Sequence, residues 1–164
     1  SLGMYYSDSP IEGIVEPSST STKVFLPDTL YIYPQLMDYN VFGDLNIKTT
    51  WKYGTGGQSY TFTPAIDSWL KISLKEVPEG KYDLFLDIVK EPFGCDISLW
   101  QRQTRVTDWV STYQATEERV KDVFIGEMEI QEFKNTLTFR FRTDQQKTGF
   151  ILNRIKLIRK HWKQ

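Results

Sequence analysis

The chain has 164 residues, of which 20 are basic and 21 acidic, for a formal net charge of −1. No global field exists to gather nucleic acid or an anionic membrane, and no apolar run reaches membrane-spanning length. A hydrophobic content of 40% at this length suits one domain whose core needs no staples. The single cysteine, Cys95, excludes an intrachain disulfide, and no Asn-x-Ser/Thr acceptor occurs.

Residues 1–22 read as a linker or lead-in from a preceding domain, because Ser7–Pro10 and Glu16–Thr22 are rich in turn formers. Val24-Phe25-Leu26 and Leu30-Tyr31-Ile32-Tyr33 are short β-like pieces cut by Pro27 and Pro34. Proline cannot donate to a ladder, which puts them at an edge or outside the main sheets. Leu45–Trp51 predicts a strand, Gly54-Thr55-Gly56-Gly57 a hairpin turn or flexible loop, and Tyr60–Thr63 a return to strand. That glycine segment lacks the Gly-Lys-Ser/Thr end of a phosphate loop.

Ser68–Leu74 predicts a strand that turns at Val77-Pro78-Glu79-Gly80 and forms a hairpin with Lys81–Lys90. Asp96–Arg102 is a further strand, and Thr107–Tyr113 another strand or part of a loop. Ala115–Arg119 reads as one helical turn, and Lys121–Gln131 as a strand with a bulge at Gly126. Asn135–Arg142 and Gly149–Ile158 alternate apolar and polar residues, the period of strands with one buried face. Residues 160–164 form a basic tail, leaving 23–159 as a single all-β domain, an antiparallel β-sandwich.

The segment Gly80-Lys81-Tyr82-Asp83-Leu84-Phe85-Leu86, the strand Ile97–Trp100, and the closing pair Leu137–Phe141 and Leu152–Leu157 resemble the galactose-binding-domain-like jelly roll. That is the fold of many carbohydrate-binding modules, and the likeness covers a little over half the chain. It implies a non-catalytic domain that binds carbohydrate or a surface partner. The polar lead-in and Trp-rich sandwich are also similar to accessory domains of Bacteroidetes surface lipoproteins, including those beside fasciclin-like adhesion domains. That likeness implies an exported domain of a larger protein, on the cell surface or in the periplasm.

Catalytic chemistry finds little support. The sole histidine, His161, lies in the tail and reads as a frayed terminal residue, whereas a Ser-His-Asp or Cys-His mechanism would need it placed beside a nucleophile. Cys95 has no basic neighbour in sequence to activate it and reads as a packing residue. Glu127 and Glu129 flank Met128 in the ordinary polar-out pattern, and no hydrolytic carboxylate pair is located by spacing. No cofactor is expected. Jelly rolls can hold a structural calcium ion, but Asp8, Asp28, Asp38, Asp44 and Asp67 are scattered without EF-hand spacing.

Sugar binding needs flat aromatic faces beside planar hydrogen-bonding groups. Residues 100–113 have that composition, and Trp100, Arg102, Arg105, Trp109 and Tyr113 are the leading candidates, with Trp51 and Tyr53 a second pair. Alternation puts Trp100 and Arg102 on the side opposite Ile97 and Leu99. Phe139-Arg140-Phe141-Arg142 superficially suggests single-stranded nucleic acid. In a strand, though, the rings and the arginines fall on opposite faces, as core and solvated surface. The competing reading is a structural or adhesion domain whose aromatics anchor a neighbouring protein.

Overall fold

The computed structural model describes residues 5–6, 28–53 and 58–160. Its strands are β1 (Tyr5–Tyr6), β2 (Thr29–Ile32), β3 (Tyr39–Phe42), β4 (Leu45–Thr50), β5 (Ser59–Pro64) and β6 (Trp69–Ser73). They continue as β7 (Gly80–Lys90), β8 (Asp96–Gln101), β9 (Thr104–Ser111), β10 (Glu118–Ile130), β11 (Thr136–Arg142) and β12 (Phe150–Arg159). Among the described residues the only helix is one 3-10 turn, Pro34–Leu36. The segments 7–27 and 54–57 and His161, on which several sequence expectations fall, lie outside the described residues.

Two antiparallel sheets face each other, which is the expected sandwich. The five-stranded sheet runs β3-β6-β11-β8-β9. In the seven-stranded sheet β12 is the hub: β7 lies along one edge and carries β10, while β5 and then β2 share the other edge. Alternation in each strand sends one row inward. Leu70 and Ile72 of β6, Ile97 and Leu99 of β8, and Leu137 and Phe139 of β11 meet Tyr82, Leu84, Leu86 and Ile88 of β7 in a single core. Phe62, Phe139 and Phe150 are fully buried, and the rings of Phe62 and Phe139 each lie about 6 Å from that of Phe150, centroid to centroid. Tyr82 is buried as well, its hydroxyl donating to the Pro78 carbonyl at 2.6 Å. Cys95 is buried, and burial pushes its thiol up to about 12, so it behaves as the packing residue expected.

Several local expectations are corrected. The Pro78 turn does not join a hairpin: β6 belongs to the five-stranded sheet and β7 to the seven-stranded one. Leu74 still donates to Asn135 O, extending the β6–β11 ladder, and buried Val77 closes the core as the chain crosses between sheets. β2 is not an edge, for it pairs with β12 on one side and β1 on the other. Pro34 starts the 3-10 turn after the strand has ended, so no ladder bond is asked of it. Residues 115–119 are not helical: 115 and 116 form a bend and β10 starts at Glu118. Gln114 bonds Thr116 O and Glu118 Oε2, each at 2.8 Å, which holds the bend open. The bulge expected at Gly126 is present as a register shift between Phe124 and Gly126.

The outward row of β7 carries one buried charge. Asp87 accepts from Arg119 Nη2 at 2.6 Å and from Asn153 Nδ2 at 2.9 Å, with Arg154 Nε 3.3 Å away. Asn153 Oδ1 in turn accepts from Ser59 Oγ at 2.6 Å. The carboxylate is therefore compensated on several sides, as a buried charge must be.

Candidate functional site

The outward rows of the five-stranded sheet form a surface of rings and guanidinium groups. Phe42 of β3 opposes Trp69 of β6, which opposes Arg140 of β11, which opposes Ser98 of β8. One step along, Lys71, Thr138, Trp100 and Arg105 line up across β6, β11, β8 and β9. At the far end Arg142 opposes Asp96, and Asp96 opposes Ser111. β9 shifts register twice against β8, and the two shifts cancel in phase, so Arg105 and Ser111 both stand opposite outward residues.

Electrostatics organise this face. The Arg105 guanidinium lies 4.8 Å and that of Arg140 5.2 Å from the Trp100 ring centre. Arg142 lies 4.5 Å over Trp109, and Lys147 4.6 Å over Tyr113. Trp100 Nε1 donates to Ser98 Oγ at 2.9 Å, which fixes the indole. Arg142 donates Nη2 and Nε to Asp96 Oδ2 at 2.6 and 3.0 Å, and Arg105 donates to Asp108 at 3.1 Å. Arg140 has no carboxylate within ion-pair distance among the described residues. Phe42 stacks flat on Trp69, centroids 3.9 Å apart and planes 9° apart.

Between Trp69 and Trp109 this face opens a cleft of about 450 Å³. Arg140, Phe141, Arg142 and Thr143 line it along β11, and Ile66, Asp67 and Ser68 line the β5–β6 turn. Its rings suit the C–H face of a flat ligand, and its guanidinium donors suit oxygen-rich groups. Among the described lining residues Asp67 is the single carboxylate, and there is no His or Cys.

The residues singled out in the sequence divide into three groups. Trp100, Arg105 and Trp109 share this face, with Trp109 in the cleft and Trp100 under two arginines. Arg102 sits at the β8–β9 turn with φ +53°, off the strand row that alternation gave it. Trp51 and Tyr53 belong to a second cluster. There Lys52 and Glu117 pair at 3.0 Å, Trp51 is 69% exposed, and Tyr113 bridges to Glu91. Hydrogen bonds from Tyr53 and Lys52 hold the Glu117 carboxyl below its ordinary range, while burial raises that of Glu91. Phe42, Trp69, Arg140 and Arg142 were not foreseen as site residues. The available signal was a tryptophan and two arginines at the polar positions of otherwise alternating strands. Among the described residues no group of three or more His, Cys, Asp or Glu is gathered around one point.

Fold and face define an antiparallel jelly-roll sandwich with an aromatic, arginine-lined cleft on its smaller sheet. Residues 31–160 match the family described as a domain of unknown function, DUF8441, and the chain belongs to that family. Three solved structures share the fold. Paenibacillus xanthan lyase aligns with a TM-score of 0.66 at 17% identity, over 88% of this chain and 14% of that one. The Podospora anserina GH26-CBM35 β-(1,4)-mannanase aligns at 0.56 and 11% identity, over 84% of this chain and 29% of that one. The CBM22-1 xylan-binding domain of Paenibacillus barcinonensis Xyn10C aligns at 0.50 and 16% identity, over 75% of this chain and 87% of that one. The chain thus spans a minor part of the first two proteins and most of the third. No curated protein matches the chain.

Proposed function

We propose that this is a non-catalytic carbohydrate-binding domain whose site is the outer face of the five-stranded sheet. The observation that carries the reading is the cleft between Trp69 and Trp109, floored by Arg140 and Arg142. Two indoles on a rigid sheet offer apolar faces to pyranose rings, and the guanidinium groups donate to ring substituents. Among the described lining residues Asp67 is the one carboxylate, whereas glycoside hydrolysis uses a pair, which favours binding over cleavage. The jelly-roll likeness to a xylan-binding domain supports the same reading at the level of fold. The chain then serves as one module of a larger exported protein, at the cell surface or in the periplasm.

The test is saturable binding of the chain to a panel of soluble polysaccharides, repeated on Trp109→Ala and Trp69→Ala. Loss of an anchoring ring should weaken binding by about 1–3 kcal/mol, with the far-UV spectrum and melt retained. Absence of binding across the panel overturns the reading.

A second reading has its own observation. Trp51, Phe93 and Tyr113 are 69%, 61% and 44% exposed and do not line the cleft, which suits anchors for a neighbouring protein domain. Failure of the glycan panel, with a partner captured through Trp51 and Phe93, would favour it.

A further inference from the structure

We infer that the cleft selects an acidic glycan, one whose sugar carries a carboxylate, and that Arg140 receives that carboxylate; this rests on the carbohydrate-binding reading above. The three arginines of the face are not equivalent. Arg142 is spent on Asp96, with two donors on one oxygen at 3.0 and 2.6 Å. Arg105 is paired with Asp108 at 3.1 Å. Arg140 has no carboxylate within ion-pair distance among the described residues, yet it lines the cleft and is braced 5.2 Å from the Trp100 ring.

A guanidinium held on an aromatic face keeps its in-plane N–H groups directed outward, as a fork suited to a planar carboxylate. Arg140 is exposed to water in the free chain, and a neutral glycan would cover its guanidinium without supplying a counter-charge. The remaining charges limit how acidic the ligand can be. Two arginines are already neutralised, and Asp67 adds an opposing charge at the rim. Within the cleft lining a densely sulfated chain would meet one guanidinium without an ion-pair partner and one carboxylate, which is poor complementarity. The match is a uronate-type sugar with one carboxylate at the cleft, its ring against Trp69 or Trp109.

The experiment titrates the full chain with polygalacturonate, alginate and glucuronate-substituted xylan, each beside the same polymer after its carboxyl groups are reduced to hydroxymethyl groups. At least one acidic member should bind about tenfold or more tightly than its reduced partner. Arg140→Gln should cost the acidic polymer about tenfold or more affinity beyond whatever it costs the reduced one, so that the difference within the pair disappears, and Arg140→Lys should restore only part of it. Raising the salt should weaken the acidic member alone. Equal affinity within every pair, or a preference that survives Arg140→Gln, overturns the acidic selectivity and leaves the carbohydrate reading standing. No binding to any acidic, reduced or neutral polymer overturns both.

Discussion

Phe42 lies flat against Trp69, ring centroids 3.9 Å apart and planes 9° from parallel. Because Phe42 covers one face of the indole, only the other can serve the cleft, and the pair acts as a rigid wall rather than a swinging side chain. Phe42 is itself 40% exposed, so its contribution to the core is small. Phe42→Ala should therefore loosen Trp69 and weaken glycan binding by about 0.5–1.5 kcal/mol, the usual worth of an aromatic pair. The thermal midpoint should change little. Calorimetric titration beside a melt checks this, and unchanged affinity would show that the wall does not depend on the stack.

Trp100 headed the sequence candidates, and the fold gives it a different role. Its ring is occupied by Arg105 and Arg140 at 4.8 and 5.2 Å, and its Nε1 is spent on Ser98. It positions Arg140 rather than offering an open face. Trp100→Ala should weaken binding of acidic glycans several-fold and leave neutral ones nearly unaffected, whereas Trp109→Ala should weaken both. Trp100→Phe should retain most of the affinity, since a phenyl face still holds a guanidinium. Equal losses for both glycan types would return Trp100 to direct contact.

Much of the architecture was legible because a period of two is hard to imitate. β7, β11 and β12 show it plainly in residues 81–90, 135–142 and 149–158. That period names the buried face but not the partner strand, so the expected β6–β7 hairpin failed where β6 chose β11 and β7 chose β10 and β12. The site was half legible for the same reason. Trp109 and Arg105 lie close together in sequence and in the same β9. Trp69, Arg140 and Phe42 come from three other strands and meet only through register. Arg140 looked like solvated surface, and it lies on the wet face as expected. Only the neighbouring tryptophans turn that wet face into a cleft.

The buried charge on the other sheet should govern stability and not binding. Asp87 is 1% exposed in its side chain and is held by Arg119 at 2.6 Å, with Arg154 at 3.3 Å. Asp87→Ala leaves two guanidinium groups without their anion, together with an orphaned Asn153 amide. A cost of about 3–5 kcal/mol is expected. Urea unfolding measures it, and the fraction that remains folded should bind glycan as before, because the network lies on β7, β10 and β12. A loss under about 1 kcal/mol would mean that water replaces the carboxylate at little cost.

Acid should loosen the β11–β12 loop only after pH has fallen below the ordinary carboxylate range. The Asp144 carboxylate accepts the backbone N–H groups of Lys147 at 2.6 Å and Gln146 at 2.8 Å, and these bonds, Lys147's foremost, hold its pKa below the ordinary 3.8. A depressed carboxylate pKa contributes stability that is fully present above 3.8 and is lost as pH falls through the lower folded value. The same loop carries Lys147, which lies 4.6 Å over the Tyr113 ring, so its loosening should release that contact too. In a proton NMR titration the Lys147 and Gln146 amide shifts should move together, with one midpoint below 3.8. In Asp144→Asn both should stay flat across the same range, since no carboxylate remains to titrate. A midpoint at or above 3.8 in the native chain would show that the two amides do not favour the charged form.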